Sequence, residues 1–299
     1  MPKTHSKNIF SDKSLSVIDL VSRPYEVGYI SPALKIIIPL TALLLVIATV
    51  CVAAFFSSGV SHAKLLEDAK EVYYYSGSPN NAFDVFSEQN SDILAWVSVE
   101  DTNIDSVVCQ TDNDNYYINH NYSKKKSRYG SLFLSCKDDI TRENGDKNLV
   151  IYGNNMSDGT MLGELKKYQN LGFYKDNPVI RFSYYDNKEL YFIFAIMLIG
   201  PSLDDNYGYN VSKSYFVDET DFNGWLEETK ERSVINTGVE VNPQDEFLTL
   251  ITVSDNFDGA RLAVIGKKVD SWDAALTDIS GASVNLTAKY PKTKTKSNK

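Results

Sequence analysis

The chain has 299 residues, 43% hydrophobic and 12% aromatic, a composition that excludes a largely disordered protein. Thirty basic residues against 39 acidic ones leave a net charge of −9, which argues against any broad nucleic-acid partner. Three cysteines and three histidines, widely scattered, exclude a zinc framework or a multiply bridged secreted scaffold, and no metal or cofactor is expected.

The first predicted element is Ile36 to Phe56, 21 residues without a charge, bounded by Lys35 and by Ser57-Ser58-Gly59. A helix of that length crosses a hydrocarbon layer of about 30 Å, and Pro39 is tolerable in its first turns. A cleaved signal peptide is the alternative, but its apolar region is only about 7–15 residues and sits closer to the N-terminus. Lys3, Lys7, Lys13, Arg23 and Lys35 precede the run, whereas Lys64 and Lys70 are the basic residues that closely follow it. The positive-inside rule then assigns residues 1–35 to the cytoplasm, 36–56 to a transmembrane signal-anchor helix and the remainder to the outside of the cell. ATP or a nicotinamide is not expected there as a substrate.

Residues 57–90 read as a helical stalk. Leu65, Leu66 and Ala69 fall at helical spacing in 61–75, Ser76-Gly77-Ser78-Pro79 stops that helix, and a second runs from Ala82 to Gln89. Residues 91–270 read mostly as strands, at 94–99, 104–109, 130–136, 148–152, 179–185, 189–199, 247–253 and 260–268. One late helix interrupts them, with Thr220 as N-cap, Asp221 in its first turn and Phe222, Trp225 and Leu226 on one face. Many short strands with few helices predict a mainly β fold, a barrel or sandwich with peripheral helices. Residues 271–299 form an extension, and from Lys289 onward they carry five Lys and no acid, a solubilising basic tail or one that touches anionic wall polymer or lipid.

Some local signals point to structure and not to chemistry. Asp112-Asn113-Asp114-Asn115 lacks the Gly and terminal Glu of a calcium loop and reads as a solvated turn, and Asp138-Asp139 reads as a surface turn. Cys109 and Cys136 read as small apolar residues on strands, with a disulfide between them left open. His120 is expected to hydrogen-bond within the structure, His62 abuts the membrane, and His5 is cytoplasmic.

Two segments carry a family resemblance. Leu149-Val150-Ile151-Tyr152-Gly153-Asn154-Asn155-Met156 resembles the strand and loop that hold the catalytic His of class B sortases. Phe247-Leu248-Thr249-Leu250-Ile251-Thr252-Val253, with Arg261 eight residues on, resembles their TLxTC strand and downstream Arg. Shorter similarities run through Asn103-Ile104-Asp105, Gln110, Asp114 to Tyr117, His120 and Gly130 to Phe133, and the late helix with Arg232-Ser233 occupies the place of a class B hallmark helix. The resemblance implies a sortase-type eight-stranded closed β-barrel in its class B form, behind the N-terminal transmembrane helix. It also implies cysteine transpeptidation, in which a thiolate attacks the Thr carbonyl of a sorting motif and passes the acyl group to an amine on the cell wall.

The same resemblance puts Asn154 where the family has its catalytic His and Val253 where it has its nucleophilic Cys. Val has no lone pair to attack a carbonyl, and the Asn amide exchanges no proton near neutral pH. Arg261 alone of the three remains, with a permanent charge able to hold a carbonyl or carboxylate oxygen. Thr252 and Ser254 flank Val253, but alternation along a strand turns both away from it. The expected protein is therefore a membrane-anchored pseudosortase on the surface of a Gram-positive bacterium. Arg261, Val253, Asn154, Thr252 and Ser254 would receive a peptide, and the partner would be a sorting-signal-like peptide, a surface protein or pilin, or an active sortase. The alternatives are a working transpeptidase with a non-standard nucleophile and a structural wall-associated module.

Overall fold

The computed structural model describes residues 32–201, 209–271 and 276–291. The expected cytoplasmic residues 1–31, His5 among them, and residues 292–299 of the Lys-rich tail lie outside the described residues. The chain divides into two compact units between Ser57 and Ser58.

In the first unit the apolar run forms the beginning of helix α1 (Pro32–Tyr75). Its Ile, Leu, Val and Phe side chains are exposed all round, and it is, among the described residues, the one helix long and apolar enough to cross a membrane. The separate short helix expected over 61–75 is instead the continuation of α1, which does not break at Ser57-Ser58-Gly59. A Gly inside a helix costs about 1 kcal/mol. Gly59 is used for close approach, since a Cβ there would lie 3.1 Å from the Tyr129 hydroxyl.

The second unit is a closed barrel. Its strands are β1 (Ile93–Val99), β2 (Asp105–Cys109), β3 (Leu132–Leu134), β4 (Asn148–Tyr152), β5 (Val179–Tyr184), β6 (Asn187–Ile199), β8 (Phe247–Val253) and β9 (Arg261–Val269), hydrogen-bonded in the order β1-β2-β3-β4-β8-β9-β6-β5. All eight strands read from the sequence are present. Between β6 and β8 lies β7 (Ile235–Asn236), paired with β10 (Ser283–Val284) in a small sheet that sequence periodicity did not reveal, because two-residue strands carry no alternation.

Strand alternation divides the side chains of β4, β8 and β9 between two of the hydrophobic clusters. Leu248 and Leu250 of β8, Leu262 and Val264 of β9 and Leu149 and Ile151 of β4 point into one cluster. Phe247, Ile251, Ala263, Ile265 and Val150 point into another, covered by helix α4 (Glu219–Arg232), which follows the short α3 (Leu171–Asp176) in the chain, through Phe222, Trp225 and Leu226. The N-cap of α4 is Asp218 and not Thr220, because the Asp218 carboxylate reaches the Asp221 N–H at 2.8 Å. Asp138 is likewise not a surface-turn residue: it is buried, its carboxylate accepts from the Val150 N–H at 2.6 Å, and burial pushes it up to about 7.

Residues 58–90 pack on the barrel and not away from it as a stalk. Helix α2 (Pro79–Gln89) starts where Ser78 accepts from the Asn81 N–H and Pro79 fills a position needing no donor. Tyr73 of α1 stacks on Trp96 of β1 at 4.3 Å, and the Tyr122 hydroxyl donates to the Leu65 carbonyl at 2.7 Å. His62 stacks on Tyr129 with centroids 3.9 Å apart, both ring nitrogens buried and unpartnered among the described residues. The extension also folds back: the Lys289 N–H donates to the Glu231 carbonyl at 2.9 Å and its ammonium pairs with Glu231 and Glu228.

Burial lowers the His62 imidazole from 6.5 to about 4, against the opposing pull of Asp158 and with a smaller push from Arg128. A histidine depressed in the folded state takes up a proton more readily when unfolded, so its share of stability is present above about 6.5 and is lost as pH falls toward about 4. Thermal melts of His62→Phe beside the unchanged chain test this. The stability difference should move in favour of the variant across that acid window and stay constant above it.

Candidate functional site

Register brings the site together. β4 pairs in parallel with β8, Tyr152 opposite Ile251, and the ladder continues as the Gly153 N–H donates to the Ile251 carbonyl at 3.2 Å. β8 pairs antiparallel with β9, Val253 opposite Arg261. Asn154, Val253 and Arg261 therefore leave the barrel at one rim. Val253 extends the outward row Phe247-Thr249-Ile251, and Arg261 extends the outward row Ile265-Ala263, past the reach of α4. Val253 is 56% exposed, a large apolar side chain left open to solvent at the end of a buried strand.

These residues line a cleft of about 280 Å³ with Thr252, Ile118, Phe133, Tyr152, Ile251 and Asp114. Ser254 lies instead in an adjoining cleft of about 280 Å³ with Asn155, Lys166, Gln169 and Asn256, and Val253 and Thr252 border both. Among the described residues the lining of the first cleft joins apolar Ile118, Phe133, Ile251 and Val253 to one cation, Arg261, and one carboxylate, Asp114. Sequence reading placed Asn154, Thr252, Val253 and Arg261 here but missed Ile118, Phe133 and the lining role of Asp114 and Tyr152. Ile118 and Asp114 come from the long loop after β2, whose place no periodicity signals. An exposed Ile in an otherwise polar stretch was the available hint.

Each side chain has a definite state. Both amide hydrogens of Asn154 are engaged, donating to the carbonyls of Ile118 at 2.8 Å and Tyr129 at 3.1 Å. That stitch pins the loop carrying Gly130, whose φ is +64° and whose added Cβ would lie 2.5 Å and 2.6 Å from the carbonyl oxygens of Tyr117 and Ile118. The Thr252 hydroxyl turns inward and donates to the Gly153 carbonyl at 2.8 Å, as alternation requires. Ser254 escapes alternation because β8 ends at Val253, and its hydroxyl instead donates to the Asn256 side chain. Among the described residues the Arg261 guanidinium has no ion-pair or side-chain hydrogen-bond partner, although its charge eases ionisation of Tyr152, which burial pushes up.

Among the described residues the cleft lining contains no thiol and no imidazole. His120 is stacked on Tyr116 at 4.2 Å with Nδ1 against the Tyr116 carbonyl. The three cysteines are free and unbridged: Cys51 is exposed, Cys109 is buried with its thiol pushed well above the usual range by desolvation, and Cys136 is raised by desolvation and the neighbouring Asp114. Asp114 accepts from the Cys136 N–H at 2.6 Å, which ties the loop after β3 to the cleft.

A closed eight-stranded barrel, with its cleft where the parallel pair β4–β8 and the start of β9 share a rim, is the architecture of the sortase class. No family model matches the chain. It is 31% identical to sortase B of Listeria monocytogenes over 214 residues, 69% of this chain and 84% of that protein. It is 29% identical to sortase B of Staphylococcus aureus over 188 residues, covering 62% of this chain and 73% of that one. The crystal structure of Clostridium perfringens sortase B, 29% identical, superposes with a TM-score of 0.56 over 62% of this chain and 99% of that chain. The chain belongs to the class B sortase family.

Replacing Gly130 by Ala forces a left-handed side chain into two carbonyls and displaces the Asn154 stitch, so urea unfolding should show a loss of about 2 kcal/mol or more. Asn154→Ala leaves those two carbonyls without donors and should cost about 1–3 kcal/mol.

Proposed function

We propose that this protein is a membrane-anchored sortase-family barrel that binds an extended peptide at the cell surface and does not cleave it. The observation that carries the reading is Val253, standing half-exposed in the cleft directly opposite Arg261. At that place a hydrocarbon side chain can contact a substrate but cannot form a bond to it. Arg261 supplies the polar anchor, since a guanidinium without a partner offers its donors to a peptide carbonyl or a terminal carboxylate. The apolar wall of Ile118, Phe133 and Ile251 supplies the rest of the contact. Asn154 fits a positioning role, because its donors already serve two backbone carbonyls.

In this reading α1 holds the chain in the membrane by Ile36–Phe56 with its N-terminus in the cytoplasm and residues 58–291 outside the cell, at the wall of a Gram-positive host. The partners are a sorting-signal-like peptide, a surface protein or pilin that carries one, or an active sortase. A working transpeptidase would need Ser254 or Thr252 as nucleophile. Both hydroxyls are committed as donors, and among the described residues neither is hydrogen-bonded to a His, Asp or Glu side chain.

A class B sorting peptide, added to the full chain in detergent with an amine acceptor, should bind without being cleaved. Arg261→Ala should weaken binding about tenfold or more, the worth of a charge-assisted hydrogen bond. The pair Val253→Cys and Asn154→His should introduce cleavage that neither change introduces alone. Turnover by the unaltered chain, or binding indifferent to Arg261, defeats the proposal.

A further inference from the structure

The loop between β2 and β3 carries the run Asn121-Tyr122-Ser123-Lys124-Lys125-Lys126-Ser127-Arg128-Tyr129-Gly130, four basic residues and no acid in a chain whose net charge is −9. The run is built and not loose. Asn121 accepts from the N–H groups of Ser123 at 3.1 Å and Lys125 at 3.0 Å, its own N–H donates to the Lys125 carbonyl at 2.8 Å, and Lys126 bridges back to His120. Both flanks are fixed to α1: Tyr122 hydrogen-bonds the Leu65 carbonyl, and Tyr129 stacks on His62. Between loop and helix lies a groove of about 420 Å³, lined by Ser58, Ser61 and His62 on one side and by Lys125, Lys126 and Arg128 on the other. Lys124 is spent on Asp92 at 3.0 Å, but Lys125 and Lys126 are exposed and have no ion pair among the described residues.

We propose that this basic loop is a docking surface for the anionic headgroups of the membrane in which α1 is anchored. The inference rests on the anchored reading given above, and covalent geometry joins the two. Ser58 and His62 follow the last apolar residue, Phe56, by two and six positions, so the groove is tethered to the bilayer edge by a span of about 20 Å even if the chain were fully extended. In helical form the same six residues rise about 9 Å, close to the Debye length of about 8 Å at physiological ionic strength. Lysine ammoniums that come within that distance of anionic lipid are attracted by it, and the attraction is worth about fivefold in occupancy for each charge. His62 stays neutral near pH 7 under burial, so the attraction comes from the Lys and Arg side chains. Because Tyr129 also accepts from Asn154, a loop seated on lipid holds the wall of the cleft at a fixed height and turn relative to the membrane.

The test uses the full chain in nanodiscs of phosphatidylcholine alone or mixed with phosphatidylglycerol, labelled with limiting amine-reactive acylating reagent and read by mass spectrometry. Lys125 and Lys126 should acylate about fivefold more slowly in the anionic discs, Lys188 on the β5–β6 hairpin should be unaffected, and high salt should erase the difference. Equal rates in both discs, with the chain retained in each, overturn the docking surface and leave the anchor standing. A chain that the discs do not retain overturns the anchor and this inference together. Protection by soluble polyphosphate with none from the anionic discs would assign the loop to a phosphate polymer and overturn the lipid.

Discussion

The structure depends on one register, the parallel pairing of β4 with β8. Parallel neighbours run in the same direction, so both leave the sheet at the same edge. The backbone continues that pairing one residue beyond β4, through the Gly153 N–H and the Ile251 carbonyl, before Asn154 departs. β9 then returns antiparallel to β8 and begins at Arg261 opposite Val253. Residues separated by about a hundred positions are delivered to one rim by main-chain hydrogen bonds alone. A slip of one residue in β8 would turn the Val253 side chain inward and the Thr252 hydroxyl outward, away from the Gly153 carbonyl.

Such a register stays fixed only if the far end of the barrel is closed, and there the closure is polar. Lys268 of β9 pairs with Glu189 at 2.6 Å and Glu246 at 3.0 Å, while Arg142 reaches Glu246 at 3.3 Å, the Tyr191 hydroxyl at 2.8 Å and the Phe247 carbonyl at 3.1 Å. These groups lie at the start of β6 and β8 and the end of β9, opposite the cleft. Half-buried ion pairs of this kind add little net stability, but a slipped strand would leave Glu189 or Arg142 buried without its partner. Among the described residues the cleft end has no equivalent network, and Arg261 has no ion pair there. Among the described residues the barrel thus keeps a cluster of ion pairs at one end and a cation with no ion pair at the other.

How far the amino-acid order foretold this differs by element. The eight barrel strands were legible because β-branched and aromatic residues recur with alternating period in runs such as Phe247–Val253, and the turn residues between them are polar. The rim residues Asn154, Val253 and Arg261 were legible through motif resemblance, and the pairing of β4, β8 and β9 explains why widely spaced motifs belong together. The helix boundaries were not: the polar Ser57-Ser58-Gly59 reads as a stop, yet α1 runs through it, with Gly59 close enough to the Tyr129 hydroxyl that a Cβ would crowd it. Asp138 looked like a surface acid, and only the fold could place the Val150 N–H over its carboxylate. Ile118 and Phe133, from different loops and strands, join the cleft by tertiary contact that no local pattern encodes.

A cleft made by backbone pairing is tolerant of what its side chains are. The barrel order, the two cores and the inward turn of Thr252 place no demand on the chemistry of the residue at Val253, because that side chain contributes to neither core cluster. Asn154 is different: its amide serves two carbonyls of the loop that carries Tyr129 and Gly130, so this position is bound into the fold as well as facing the cleft. A change at Val253 alone would therefore alter reactivity with little effect on architecture, whereas a change at Asn154 would also move a wall. Shape and chemistry are separable at one position of the rim and coupled at the other.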